Sequence, residues 1–168
     1  MQHHRDGETA LPFDPDAIAD DARLLFIGRI RSPWKDRSAC PKNMAAAAEA
    51  GGGAQILVEP PLRAGLAGLD GYSHAIVLSW FDRSARNLLV QKPAHAPEPR
   101  GVFALRSPVR PNPIGLHVVR LLSVDLAAGL LELEAIDALD ETPVIDVKPY
   151  FASTDAKPDA TRPKRGSL

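Results

Sequence analysis

Ile114-Gly-Leu-His-Val-Val-Arg-Leu-Leu-Ser-Val-Asp125, and beyond it Leu130-Leu-Glu-Leu-Glu-Ala-Ile136, are the two runs that decide the fold class. Each is rich in residues that fit a pleated surface, and Ala127-Ala-Gly129 between them supplies a turn, so the pair reads as a β-hairpin. In the second run Leu131, Leu133 and Ala135 share one face, with Glu132 and Glu134 opposite. Continuing that alternation puts Asp137 on the apolar side. A carboxylate there needs a partner. It is either a ligand contact or an acceptor of backbone hydrogen bonds at the turn Ala138-Leu-Asp140.

Working outward, Tyr72 to Phe81 is apolar on both faces and is expected to be a central strand, with His74 a hydrogen-bonded core residue and Trp80 held by the core. Leu24 to Arg31, Ala54 to Glu59 and Thr142 to Tyr150 read as further strands, the last with Ile145 and Val147 inward and Asp146 and Lys148 outward. The alanine run before Gly51-Gly-Gly53 suits a helix. Leu62, Leu66 and Leu69 have the spacing of one short helix face, and Gly71 is placed to end it. Arg83 to Arg100 is a long polar loop.

Arg106-Ser-Pro-Val-Arg-Pro-Asn-Pro-Ile-Gly115 contains three prolines, each of which fixes one φ and removes one N–H. It is a stiff loop that pre-aims Arg106 and Arg110, anchored by strand-like runs from Gly101 to Leu105 and from Ile114 onward. Both a ligand site and a plain surface connection fit that description. Many short strands, few short helices and long loops give a mainly β chain, an antiparallel barrel or sandwich. A doubly wound nucleotide fold is disfavoured because no Gly-x-Gly-x-x-Gly opens a helix.

The chain has 168 residues, 45% of them hydrophobic, enough for one core. The expected organisation is a loosely held arm at 1–23, a barrel domain at 24–151 and a basic tail at 152–168. Its one cysteine, Cys40, permits no internal disulfide and points to a reducing compartment. With apolar runs too short to cross a membrane and no apolar leader at the start, the expected location is cytoplasmic. Arg83 to Arg120 holds seven bases and one acid, whereas Leu121 to Val147 holds seven acids and no base. That contrast suits a partner with both phosphates and a cationic centre, or else the two signs simply pair. Histidine and cysteine spacing gives no metal site.

Four phrases now stand together: Ile27-Gly-Arg-Ile-Arg-Ser-Pro33, Leu69-Asp-Gly-Tyr-Ser-His74, Gly101-Val-Phe-Ala-Leu-Arg-Ser-Pro-Val-Arg-Pro-Asn-Pro-Ile-Gly115, and Asp137-Ala-Leu-Asp-Glu-Thr-Pro-Val-Ile-Asp-Val-Lys-Pro-Tyr150. In order and spacing they resemble the TsaA-like family, also called YaeB or TrmO. The resemblance covers about Leu24 to Phe151. It implies a single-sheeted antiparallel β-barrel, a homodimer, and S-adenosylmethionine as cofactor. It implies a tRNA (adenine-N6)-methyltransferase acting on threonylcarbamoyl-adenosine beside the anticodon. The alternatives are a non-catalytic module that binds the cofactor or RNA, and a methyltransferase with a smaller acceptor.

By matching motif positions, the resemblance assigns cofactor contacts to Pro41, Lys42, Asn43, Asp82, Arg83, Arg106, Leu116, Asp137 and Asp140. Arg110, Asn112, Lys148 and Tyr150 are candidate substrate contacts. No residue stands out as a general base, although a carboxylate such as Asp137 or Asp140 would serve. The sequence departs from the usual pattern at Asp82-Arg83, where members resemble His-Gln, at Leu105 for threonine, and at His117 for serine. It ends soon after Tyr150, so the extra C-terminal domain of some members is not expected.

Overall fold

The computed structural model describes residues 5–14, 23–93 and 98–162. Expectations for the remaining residues, which include parts of the arm at 1–23, of the loop at 83–100 and of the tail at 152–168, lie outside the described residues. Nine strands are present there: β1 (Thr9–Ala10), β2 (Gly28–Arg31), β3 (Ala54–Val58), β4 (His74–Trp80), β5 (Leu88–Gln91), β6 (Arg100–Gly101), β7 (Ile114–Asp125), β8 (Leu130–Leu133) and β9 (Pro143–Pro149). They fall into two compact units. One contains Leu24–Asp82 and Ile114–Asp155, and the other takes the rest.

The first unit is a closed antiparallel barrel in the order β2-β3-β8-β7-β4-β9. The fold class is therefore mainly β, and closure removes the unpaired strand edges that an open sheet would expose. Six strands enclose less space than the eight that side chains fill comfortably, so small residues must line part of the wall. Gly28, Ala54, Ala75, Ser79 and Gly115 all point inward. A Cβ on Gly28 would lie 2.3 Å from the Leu57 carbonyl oxygen, which leaves no alternative there. Ile30, Ile56, Val58, Val77, Val119, Leu131, Leu133 and Val144 fill the remaining interior.

The hairpin reading holds: β7 spans Ile114–Asp125, and its burial alternates residue by residue from Ile114 to Leu122, beyond which the register with β8 shifts. β8 is shorter than expected, ending at Leu133, yet Leu131, Leu133 and Ala135 keep their shared buried face. In β9 the alternation breaks. Leu78 pairs with Asp146 but Ser79 pairs with Val144, so Ile145 is bulged out of register. Val144 and Val147 face the core, and the inward place expected of Ile145 belongs to Val144.

Other expectations need correction. Only Gly28–Arg31 of the first apolar run is strand, and Leu24, Leu25 and Phe26 are exposed. His74 lies on the outer face, bonded through Nδ1 to Ser73 Oγ at 2.9 Å, so it is not a core histidine. The leucine-spaced helix is two 3₁₀ turns, Pro60–Leu66 and Leu69–Gly71, separated by Gly68 at φ +83°. Pro60 and Pro61 lack the N–H groups that a longer helix would need, although Leu66 and Leu69 are buried as their spacing implies.

The alanine run does form a helix, Met44–Ala50, capped by Asn43 Oδ1 accepting from Ala46 N–H at 2.9 Å. A second helix, Ala152–Asp155, follows the barrel.

In the second unit β5 lies between β1 and β6 in a three-stranded sheet. Strands thus occupy part of the expected arm and part of the expected polar loop. Gly101 to Leu105 is not a strand run: after β6 comes a 3₁₀ turn, Val102–Ala104, with Val102 buried. The proline loop follows without regular structure, as three prolines require.

Candidate functional site

Three polar side chains are joined at the barrel interior. Ser79 Oγ lies 2.9 Å from His117 Nε2, and His117 Nδ1 lies 2.6 Å from Asp137 Oδ1. Ser79 and His117 are inward on neighbouring strands β4 and β7 and are buried, whereas the Asp137 side chain keeps 19% of its exposure. With Asp137 Oδ1 as the acceptor, Nδ1 carries the proton of that hydrogen bond, and Nε2 and the Ser79 hydroxyl complete the row. The Ser79 hydroxyl and both ring nitrogens of His117 thereby have partners. The Phe81 ring meets the imidazole edge-on, with centroids 5.8 Å apart. Gly115 makes room: a Cβ there would meet Ser79 Oγ at 2.3 Å and His117 Nε2 at 2.7 Å.

Asp137 reaches the interior row, though not by strand alternation: β8 ends at Leu133, and Ile136 and Ala138 on either side of Asp137 are the buried residues. Its protein partner is an imidazole, not the backbone of the following turn. Oδ2 takes no protein hydrogen bond among the described residues. Burial raises the pKa of the Cys40 thiol, Arg37 works against that rise, and the negative charge of Asp137 adds to it. Asp137 is thus electrically close to the start of Cys40-Pro41-Lys42-Asn43. Lys42 and Asn43 are exposed, and Pro41 is half-buried.

Asp140 has a different setting. Its Oδ1 accepts from Ser32 N–H at 3.0 Å, and its Oδ2 from Lys35 Nζ at 2.6 Å. Burial pushes the carboxyl pKa up, but these two hydrogen bonds and the charges of Lys35 and Arg31 outweigh it and hold the pKa below the ordinary value. Asp140 clamps the barrel's shortest seam. There β2 and β9 share two register pairs, and Ser32 Oγ donates to Ala138 O at 2.8 Å.

The other candidates divide by position. Asp82 follows β4 and is exposed; Leu116 lies on the outer face of β7, opposite Leu78. Lys148 and Tyr150 are near the start of β4, where Tyr150 N–H donates to the His74 carbonyl at 3.1 Å and Lys148 pairs with Asp146. A seven-residue strand, about 20 Å long at ~3.3 Å per residue, separates that end from Asp82. In one barrel these residues do not converge.

Arg83, Arg106, Arg110 and Asn112 belong to the second unit. Arg110 does not project freely, for its guanidinium donates to the Leu105 carbonyl at 3.1 Å. Arg86, which the sequence reading did not single out, donates to Pro111 O at 2.7 Å and reaches Asn112 Oδ1 at 3.5 Å, tying the proline loop back to β5's approach. Arg83 and Arg106 are exposed.

The link between Ser79 and His117 was also missed, though parity announces it. Ser79 shares its face with Ala75 and Val77, and His117 with Val119 and Leu121. Among the described residues no group of three or more His, Cys, Asp or Glu could hold a metal ion.

Residues 29–156 match the tRNA-methyltransferase O N-terminal domain. The chain belongs to the TrmO family. A probable S-adenosyl-L-methionine-binding protein of Methanothermobacter thermautotrophicus is 38% identical over 136 residues, which are 81% of this chain and 95% of that protein. The tRNA (adenine(37)-N6)-methyltransferase of Escherichia coli is 35% identical over 141 residues, covering 80% of this chain and 60% of that enzyme. A crystal structure of TrmO from Pseudomonas aeruginosa superposes with a TM-score of 0.66 at 35% identity, over 88% of this chain and 62% of that one. Against a longer Archaeoglobus fulgidus relative, 42% identical, 80% of this chain aligns with only 35% of the relative. The TrmO barrel is therefore shared throughout, while some relatives extend well beyond what this chain spans.

Proposed function

We propose that this chain binds S-adenosylmethionine and transfers its methyl group to N6 of an adenine in tRNA, the threonylcarbamoyl-adenosine beside the anticodon. The observation that carries the reading is Asp137: one oxygen is tied to His117, the other has no protein hydrogen bond among the described residues, and the carboxylate is within electrostatic reach of Cys40, at the start of the Cys40–Asn43 segment. A carboxylate so placed suits a ribose hydroxyl or the sulfonium charge. Pro41, Lys42, Asn43, Asp82 and Leu116 of the barrel unit, with Arg83 and Arg106 of the second unit, are the remaining proposed cofactor contacts. Asp140, clamped by Ser32 and Lys35, is less available than the sequence suggested.

In the transfer the S–CH₃ bond would break as the N–CH₃ bond forms, its electron pair staying on sulfur as a neutral thioether, and the proton of the acceptor nitrogen would pass to water. Holding donor and acceptor in line supplies most of the acceleration. The chain would supply that alignment. Arg110, Asn112, Lys148 and Tyr150 are proposed substrate contacts. The separation of Lys148 and Tyr150 from Asp82 fits a long RNA, or a second subunit, better than a small acceptor.

A homodimer belongs to this reading. Ile114, Leu116 and Val118 are 44%, 51% and 39% exposed on the outer face of β7, beside half-buried Ile76 and Leu78 on β4, and a second copy would cover that strip. Val118→Lys is expected to shift the mass measured by light scattering from dimer to monomer. No helix among the described residues is long and apolar enough to cross a membrane. We place the protein in the cytoplasm, with its RNA substrate.

Two of the more similar relatives are named only as probable cofactor-binding proteins, which favours binding without turnover as the second reading. One experiment separates the two. Protein is incubated with methyl-labelled cofactor and total RNA from a strain lacking the enzyme, and the label is located by nucleoside mass spectrometry. Label on the modified adenosine supports transfer; cofactor binding without label in RNA supports the module. Asp137→Ala is expected to abolish cofactor binding under either.

A further inference from the structure

A barrel interior filled by valine, leucine and isoleucine has no packing reason to hold an imidazole and a hydroxyl. Burying such groups costs free energy unless each finds a hydrogen-bond partner. Here each does, in a row: Ser79 Oγ, His117 Nε2, His117 Nδ1, Asp137 Oδ1. Ser79 has no exposed surface and cannot meet a substrate, so the row does not act as a hydrolytic triad despite its residue types. Only its last member, Asp137, reaches solvent, and only Oδ1 of that carboxylate is used internally.

We infer that His117 is a positioning residue. Its Nδ1–H fixes the Asp137 carboxylate so that Oδ2 alone is presented to the bound ligand, and Ser79 holds the ring in the tautomer and plane this requires. The inference rests on the proposed cofactor role of Asp137. A carboxylate held by one oxygen loses less rotamer freedom when the other engages a ligand. A free Asp137 would sample orientations in which neither oxygen meets the ligand. Gly115 belongs to the device as well, because a Cβ there would strike both Ser79 Oγ and His117 Nε2.

The test measures dissociation constants for S-adenosylmethionine by calorimetry on the full chain, with melting temperature as a control for folding. His117→Leu should weaken binding about tenfold or more, the order set by losing a hydrogen bond to a charged group. His117→Asn, whose amide can still donate to Asp137, should recover part of that loss. Ser79→Ala should weaken binding less than His117→Leu.

Proton NMR supplies a readout independent of affinity. The wild type should show an exchange-protected imidazole N–H resonance that disappears in Asp137→Ala, which has no acceptor at that place. If the wild type binds and His117→Leu binds equally well, the positioning role is overturned. If His117→Leu does not fold, His117→Phe, which keeps a ring and loses the Nδ1–H, takes its place under the same criterion, and the absence of an Asp137-dependent N–H resonance in the wild type overturns the role in either case. If the wild type binds no cofactor, the proposed function fails first and this inference falls with it, even where the resonance is present.

Discussion

Gly115 is the residue at which the barrel's geometry and its polar row meet. The missing side chain is what allows Ser79 and His117 to approach across β4 and β7. Gly115→Ala is expected to cost about 1–3 kcal/mol of stability, the range for forcing one extra carbon into a packed interior, as read from urea unfolding. Cys40 is a second residue whose behaviour follows from its surroundings. Burial first, and then the charge of Asp137, raise its thiol pKa above the ordinary 9.0, against the pull of Arg37. Alkylation by iodoacetamide at neutral pH should be slower than for a free thiol, and its rate should still be climbing where a free thiol has levelled off.

Among the elements, β9 and the helix Met44–Ala50 are the instructive ones. The bulge at Ile145 makes Val144 the inward residue, with no exposed surface, and leaves Ile145 half-buried. Val144→Ala is therefore expected to lower stability by about 2 kcal/mol, and Ile145→Ala by clearly less. The reverse ranking in denaturant melts would restore the plain alternation. Asn43 has a double role: its Oδ1 caps the helix, which leaves its amide N–H groups for a ligand. Asn43→Ala should cost about 1 kcal/mol through the lost cap, whereas Asn43→Asp should keep the cap and reveal the ligand contact separately in cofactor affinity.

At the scale of the whole molecule, barrel closure depends on the short β2–β9 seam, and Asp140 is its electrostatic clasp. The folded-state pKa of Asp140 lies below its ordinary value, so the folded protein holds this proton less tightly than the unfolded chain does. Its stabilising contribution is then fully present above an ordinary aspartate pKa of about 3.9 and is lost as pH falls through the lower folded value. Asp140→Asn should remove that part of the acid dependence and leave stability flatter below about pH 4, in thermal melts taken across that range.

Strand content, the hairpin at Ala127-Ala-Gly129, the shared buried face of Leu131, Leu133 and Ala135 and the irregular course of the proline loop were legible in the sequence. Each follows from local alternation, turn chemistry or fixed φ angles, which act within a few neighbouring residues. The bulge at Ile145, the pairing of β1 with β5, the outward turn of His74 and the choice of imidazole as the partner of Asp137 were decided by tertiary structure. They depend on which strands become neighbours and in what register, and no local pattern fixes a contact between residues 79, 117 and 137. Composition and periodicity thus set the faces, while closure of a narrow six-stranded barrel decided which side chains met inside it.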